Sequence, residues 1–181
     1  MTQHQKKPST LIERLTAFTG NDLEDLCIAT EAAIVGGGGF GWVKVPPRNV
    51  LEKYWTGVLL VPERQLFVGR LDGVIAGSAQ LTRAPRNNEA QAWAGQLTAA
   101  FVAPWARGYG LARGLVATIE EAALRAGIEV LNLDLRETQI AAIELYEQLG
   151  YTRWGTHPCY ARVDNRVVPG HYYFKRLGGA K

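Results

Sequence analysis

The sequence predicts an α/β chain of the α+β type, with a mixed, mostly antiparallel sheet of about seven strands and helices on both faces. Two observations lead to this prediction. Asp72-Gly73 is a strong hairpin signal between the apolar segments 65–71 and 74–83. A strand, a tight glycine loop and a helix then follow one another over 97–126.

The composition is that of an ordinary globular chain. Hydrophobic residues make up 47% and charged residues 20%, and the net charge of +3 gives no argument for nucleic acid. Cys27 and Cys159 lie far apart, which indicates neither a disulfide framework nor a metal cluster. No apolar run approaches the ~20 residues that span a membrane, and the start lacks a signal-peptide core. We therefore expect a cytoplasmic, single-domain protein over 10–178, after a disordered tail over 1–9.

The first half is predicted to hold a strand over 11–15 and two helices before the hairpin. Asn21 is the predicted cap of the first helix, with Glu24 three residues on as its capping-box partner. Asn49 is the predicted cap of the second helix. The glycine run over 36–41 separates them, and we expect it to be mobile because glycine has the greatest backbone freedom.

The second half alternates strands and helices. The apolar run 97–102 suits a strand buried on both faces, and Pro104 ends it. Gly127 stands where the helix that begins at Leu111 should end. The later elements are predicted as a strand over 130–135, a helix over 139–149, and two strands over 151–160 and 167–177.

The segment Arg107-Gly108-Tyr109-Gly110-Leu111-Ala112 leads directly into the central helix. Free N–H groups and the positive end of the helix dipole favour an anion at such a place. A Walker loop is excluded, because no Gly-Lys-Ser/Thr follows. The dinucleotide fingerprint G-x-G-x-x-G matches Gly108 and Gly110, but its third glycine is replaced by Arg113. Asp134, near the end of the following strand, would be the ribose ligand in that interpretation. An ordinary tight turn is the simplest interpretation.

Two further patterns fit together. Arg107, Gly110 and Ala112 fill R-x-x-G-x-A, and the segment 145–151 reads Leu-Tyr-Glu-Gln-Leu-Gly-Tyr. At this separation they resemble the coenzyme A loop and the following helix of the GNAT superfamily of N-acetyltransferases. The resemblance covers 96–177 well and the first half loosely.

Three more features narrow the resemblance. They are the glycine-rich first loop, Tyr54-Trp55 in the second helix, and the Gly-Tyr-x-Arg sequence over 150–153. With them the chain is similar to the branch that contains the tabtoxin-resistance acetyltransferase, whose members act on small molecules.

The resemblance implies a GNAT-like fold that uses acetyl-CoA as cosubstrate and no metal. The fourth and fifth strands would splay apart, and the pantetheine arm would pair with the backbone around Ala99 to Val102. The pyrophosphate would lie against the loop N–H groups. The residues implied to bind the cofactor are Phe101, Val102, Arg107, Gly108, Tyr109, Gly110, Leu111, Ala112, Arg113 and Gln139.

Tyr146 is the implied general acid, which would protonate the departing thiolate; the alternative is a core tyrosine. Many family members carry a glutamate base on the fourth strand, where this chain has Gln96 and Thr98. Those side chains can orient water but cannot take a proton at neutral pH. The possible substitutes are Glu31, Asp134 and His157, and none is assigned.

The implied activity is acetyl transfer to the amine of a small molecule by direct attack on the thioester. Three alternatives stay open: acetylation of protein N-termini or lysines, a non-catalytic acyl-CoA sensor, and a nicotinamide-dependent oxidoreductase. The glycine run is either a wall of the acceptor pocket or a flexible connection. Neither nucleic acid nor a membrane is expected as a partner, and a homodimer is left open.

Overall fold

The computed structural model of the chain describes residues 8–38 and 41–178, which hold four helices and seven strands. The elements in chain order are β1 (Thr10–Leu15), α1 (Asp22–Val35), α2 (Arg48–Leu60), β2 (Arg64–Leu71), β3 (Val74–Arg83), β4 (Ala94–Val102), α3 (Leu111–Arg125), β5 (Val130–Arg136), α4 (Ile140–Gln148), β6 (Thr152–Val163) and β7 (Arg166–Arg176). The predicted disordered tail falls mainly on residues 1–7, outside these ranges. Its last residue, Ser9, donates its N–H to Asp72 Oδ1 (2.9 Å) in the β2–β3 turn.

All seven strands form one sheet in the order β1-β2-β3-β4-β5-β7-β6. Only the β4–β5 pairing within it is parallel, and the other neighbours are antiparallel. Helices α1 and α2 pack on one face, and α3 and α4 pack on the other. The predicted mixed, mostly antiparallel sheet with helices on both faces is therefore confirmed.

Strands β4 and β5 pair over a short stretch and then separate. Their register joins Ala94 to Val130, Gly95 to Leu131 and Gln96 to Asn132, and stops there. Beyond it, β4 continues beside β3 and β5 continues beside β7. Two parallel strands that diverge leave a wedge between them, which we call the β4–β5 gap.

A bulge in β4 lies at the start of this gap. The register with β3 shifts between Ser78 and Gln80, and the opposing Ala99 has a φ of 48°. A left-handed conformation at a non-glycine residue costs about 1 kcal/mol or more. The run 97–102 is also not buried on both faces as predicted: Leu97 and Phe101 are buried, but Ala99 is only partly so. The reason is that β5 has already left this part of β4.

A hydrophobic core lies on each face of the sheet. The α3/α4 core includes Leu115, Ile119 and Leu131, and the α1/α2 core includes Leu26 and Trp55. Trp55 and Leu131 are both fully buried. The two cores hold the sheet between them, so the gap opens in an otherwise well-packed sheet.

The predicted N-caps of the first two helices are wrong in detail. Asn21 occupies the cap position of α1, but its side chain makes no cap hydrogen bond, so the capping box with Glu24 does not form. Instead Asp22 accepts the Thr19 N–H at 2.9 Å and an Arg70 N–H at 2.8 Å. A tertiary ion pair with β2 has replaced the local cap.

Helix α2 begins at Arg48, one residue before the predicted cap Asn49. Its cap position is Pro47, which has no side-chain hydrogen bond to give and instead sets φ at −53°. Proline is compatible with the start of a helix because the first N–H groups have no partner in the helix. The face that α2 turns to the sheet is apolar, and Leu51, Trp55 and Val58 on it are buried.

The hairpin of β6 and β7 is longer than predicted and contains a wide bulge. Asp164 and Asn165 form its turn with φ values of 47° and 61°, so Arg166 belongs to β7 and not to the loop. The register passes from His157–Gly170 directly to Ala161–Val168, which leaves three β6 residues opposite Pro169. Prolines at 158 and 169 cannot donate to the ladder, and this explains why pairing fails there.

None of the helices in residues 8–38 and 41–178 is long and apolar enough to cross a membrane. In the same part of the chain, no three His, Cys, Asp or Glu side chains are grouped so that they could hold a metal ion.

Candidate active site

The glycine loop places a set of backbone N–H groups at the N-terminus of α3. The first helical bond runs from Gly114 N to Gly110 O at 3.0 Å, so the N–H groups of Leu111, Ala112 and Arg113 lie ahead of the ladder. They point out of the helix end together with the positive end of its dipole. This arrangement can hold an anion.

Two glycines give the loop its shape. Gly108 and Gly110 have φ values of 86° and 82°, a conformation that other residues rarely adopt. A Cβ at either position would meet no heavy atom of the described residues within 4 Å. The glycines are therefore required by conformation, and a side chain there would project into the space in front of the helix. That open cradle fits a phosphate group.

The other predicted loop residues differ in what they expose. The side chain of Leu111 is buried against Ala76 and Ala106, so only its N–H is available. Tyr109 is 46% exposed. Arg113 Nη2 donates to Gln148 Oε1 at 3.0 Å, which links α3 to α4 beside the loop.

Phe101 and Val102 of β4, which were predicted to bind the cofactor, have main-chain groups and not side chains available for binding. Phe101 is 7% exposed and packs in the α1/α2 core beside Trp55, at a ring distance of 6.4 Å. Val102 pairs with Gly77 of β3. Within the described ranges no strand pairs with the other edge of β4 beyond Gln96, so that edge is able to accept an added strand.

Tyr146 lies on α4 in the core beneath the gap. It is 7% exposed and meets Tyr151 edge to face, with ring centroids 5.4 Å apart. Its hydroxyl has no hydrogen-bond partner among residues 8–38 and 41–178. Burial raises the pKa of Tyr146 far above its ordinary value, so the hydroxyl stays protonated.

Gln139 is the cap residue of α4, and it directs its side chain back toward β5. Its Oε1 accepts the Arg136 N–H at 3.3 Å. The Arg136 guanidinium in turn donates from Nη2 to Gly38 O at 3.1 Å. This contact brings the first part of the glycine run over the end of β5. Gly39 and Phe40 lie outside the described residues, and the predicted mobility of the run stays a prediction.

The three candidate bases are in different places. Glu31 on α1 pairs with Arg48 at 3.4 Å, and His157 Nδ1 accepts the Cys159 N–H at 3.0 Å within the β6 bulge. Asp134 instead stands on β5, two residues past the last β4–β5 pair. It is the only one of the three placed beside the gap.

The polar residues of β4 lie on the α1/α2 face. Gln80, opposite Thr98, donates to the Tyr54 hydroxyl at 3.1 Å, which identifies this face. A cavity of about 720 Å³ opens next to the paired ends of β4 and β5, and Gln96 and Asn132 are in its lining. The space can receive a second molecule on the side of the sheet opposite α3.

Sequence reasoning missed a cluster of three aromatic residues that begins beside Asp134. Tyr160 donates its hydroxyl to Asp134 Oδ2, and the Tyr160 and Tyr172 rings lie 6.0 Å apart. Trp154 lies 5.5 Å from Tyr172 and is 64% exposed. An alternating strand pattern carries no signal for such a cluster.

Comparisons with known proteins agree with this geometry. The model of the acetyltransferase (GNAT) family matches residues 24–151. An uncharacterized N-acetyltransferase from the hisH–hisA intergenic region of Azospirillum brasilense is 62% identical over 128 residues, which is 71% of this chain and 76% of that protein.

Solved structures share the fold at low identity. Salmonella typhimurium yncA, solved with its cofactor acetyl-CoA, is 17% identical with a TM-score of 0.75, over 94% of this chain and 95% of that one. Ribosomal-protein-alanine N-acetyltransferase from Brucella melitensis is 21% identical with a TM-score of 0.77, over 92% of this chain and 99% of that one.

Proposed function

This chain belongs to the GNAT family of acetyltransferases, and we propose that it transfers an acetyl group from acetyl-CoA to the amine of a small molecule. The observation that supports this most strongly is the divergence of β4 and β5 after Gln96 and Asn132. An extended arm with amide groups can pair with the open edge of β4 in that gap. The cradle at the N-terminus of α3 is then available to a pyrophosphate.

The proposed cofactor contacts follow the backbone. Phe101 and Val102 contribute main-chain groups of β4, and the loop from Arg107 to Arg113 contributes N–H groups and a flanking positive charge. Gln139 follows β5 as the cap residue of α4, beside the gap that the pantetheine arm would fill. Acetyl-CoA supplies an activated acetyl group with a thiolate as leaving group.

The proposed acceptor reaction needs a neutral amine. An alkyl amine with a pKa near 10.4 is only ~0.1% neutral at pH 7, so a proton must leave the nitrogen before attack. Gln96 and Thr98 of β4 can orient water that accepts it. The nitrogen then bonds to the acetyl carbon and becomes positive. A second proton leaves it to water, the carbon–sulfur bond breaks, and Tyr146 donates a hydrogen bond or proton to the sulfur.

Thermal shifts with acetyl-CoA, CoA, NAD and ATP give the first test. We expect acetyl-CoA and CoA to raise the melting temperature of the wild type, and not that of Gly110→Asp. Gly110→Ala isolates the effect of the charge, because it shares the positive-φ strain and the added Cβ with Gly110→Asp but adds no negative charge. Stabilisation by NAD alone would contradict the proposal.

The second test is turnover. We would follow release of free thiol with a panel of primary amines and with peptides that carry a free N-terminal alanine or a lysine. Turnover of small amines is expected. Efficient turnover of peptides alone would make the acceptor a protein. Cofactor binding without turnover of any acceptor would indicate an acyl-CoA sensor.

A further inference from the structure

Asp134 carries an exposed carboxylate at the start of the β4–β5 gap. It follows Asn132, the last β5 residue paired with β4, by two positions, so both point to the α1/α2 face. The intervening Leu133 is buried in the α3/α4 core. The carboxylate thus lies on the side from which an acceptor would approach the thioester.

One oxygen of Asp134 is already used, and the other is available. Tyr160 donates its hydroxyl to Oδ2, whereas Oδ1 has no partner among residues 8–38 and 41–178. A carboxylate can accept about four hydrogen bonds in all. Burial, and next the hydrogen bond to Asp134, raise the pKa of Tyr160, so its hydroxyl remains a donor at neutral pH.

The backbone is shaped to bring Tyr160 to this position. Tyr160 stands in the wide bulge of β6, and its ring lies directly over Gly170 of β7. Any Cβ at position 170 would overlap that ring. The bulge and the glycine together direct the hydroxyl across β7 to β5.

Aromatic rings form a wall beside the carboxylate. Tyr172 is the cross-strand partner of Asp134, its ring is nearly perpendicular to that of Tyr160 (85°), and Trp154 continues the wall. Trp154 also lines the 720 Å³ cavity. A carboxylate next to aromatic faces is the combination that binds an organic ammonium group, by charge and by cation–π attraction.

We propose that Asp134 and the rings of Tyr160, Tyr172 and Trp154 bind the ammonium group of the acceptor, with the remainder of the acceptor in the adjoining cavity. This rests on the proposed acetyl transfer and restricts its acceptors to cationic amines. The carboxylate attracts the ammonium to the gap. After a proton has left to water and the carbon–nitrogen bond forms, the nitrogen becomes positive again, and Asp134 stabilises that charge. The charge disappears when a second proton leaves to water and the thiolate departs.

The kinetic test compares Asp134→Asn with wild type on the best amine of the panel. We expect the acceptor KM to rise at least tenfold, with the KM for acetyl-CoA within twofold. Tyr172→Leu should raise the acceptor KM about two- to thirtyfold through loss of a cation–π contact. Glu129→Gln is the matched control, since it removes the same charge from an exposed residue just before β5.

A binding test does not depend on turnover. The probes are phenethylammonium and its neutral counterpart 2-phenylethanol, titrated against ¹⁵N-labelled protein while the Trp154 indole resonance is followed. We expect the cation to bind wild type and Glu129→Gln at least tenfold more tightly than the alcohol, and the preference to vanish in Asp134→Asn. Equal binding of the two probes to wild type, or an unchanged preference in Asp134→Asn, would overturn this inference. Lack of turnover with any amine would instead count against the proposed function.

Discussion

Replacing Tyr146 with phenylalanine removes a single oxygen from the core beneath the gap. The ring stays against Tyr151, 5.4 Å away between centroids, so packing is retained. The hydroxyl makes no hydrogen bond within the described ranges, so its removal breaks none and costs little. We expect the free energy of unfolding to change by less than about 1 kcal/mol.

The expected effect on rate follows from the acidity of the two groups. An unperturbed tyrosine has a pKa near 10 and a thiol near 8.5, so full proton transfer is uphill by about 2 kcal/mol. Burial raises the pKa of Tyr146 and makes transfer still more unfavourable. Tyr146 should therefore act mainly through a hydrogen bond to the sulfur. We expect kcat to fall by about 10²-fold, near the bottom of the range for general acids.

The assay is release of free thiol in single turnovers, where chemistry and not product release is observed. Affinity for acetyl-CoA, measured by calorimetry, should stay within about twofold of wild type. Tyr151→Phe is the control, because it removes the same atom from the neighbouring buried ring. Because burial raises the pKa of Tyr146, its hydroxyl should cause no loss of rate on the alkaline side below about pH 10.

Two results would refute the reasoning. A wild-type rate in Tyr146→Phe would exclude the general acid, and an equal loss in Tyr151→Phe would indicate a packing effect. Failure of Tyr146→Phe to fold would make the residue a core tyrosine.

Three further predictions concern binding, the glycine run and stability. Gly110→Asp should abolish acetyl-CoA binding in calorimetry while circular dichroism stays native; unchanged affinity would remove the phosphate site from this loop. Gly41→Ala, where a Cβ meets no neighbour within 4 Å, should alter the acceptor KM more than that for acetyl-CoA, and the reverse would move the run away from the acceptor. Burial alone would raise the pKa of Asp22, but hydrogen bonds from Thr19 and Arg70 outweigh it and lower the pKa below 3.8. The stability that Asp22 contributes is thus present above its unfolded pKa and lost as the pH falls through the folded value. Asp22→Asn should cost about 1–3 kcal/mol at pH 7, and its urea midpoint should depend less on pH between 5 and 3 than that of wild type; an identical pH dependence would contradict the pairing.

Local patterns predicted the parts of the fold that depend on local chemistry. Val74–Arg83 was predicted to the residue, because Asp72 and Gly73 adopt the positive φ values of 50° and 88° that a tight hairpin turn needs. The loop before α3 was likewise predictable, since Gly108 and Gly110 act through the backbone.

The rest depends on contacts between distant segments. The predicted side-chain cap by Asn21 does not form, and the neighbouring Asp22 makes an ion pair with Arg70, 48 residues away. The pairing of Asp134 with Tyr160 spans 26 residues and depends on the β6 bulge. Neither contact can be predicted from the periodicity of the sequence, because each joins residues that lie far apart in the chain.

The short parallel pairing has a mechanical consequence. Strands β1 to β4 form one antiparallel block and β5, β7 and β6 form another, and three residue pairs join the blocks along the sheet. A molecule that lies in the gap and contacts β4 on one side and β5 on the other adds a second connection between the two blocks. Occupancy of the gap should then stiffen the sheet where the two blocks meet, in addition to the α3/α4 core that they share.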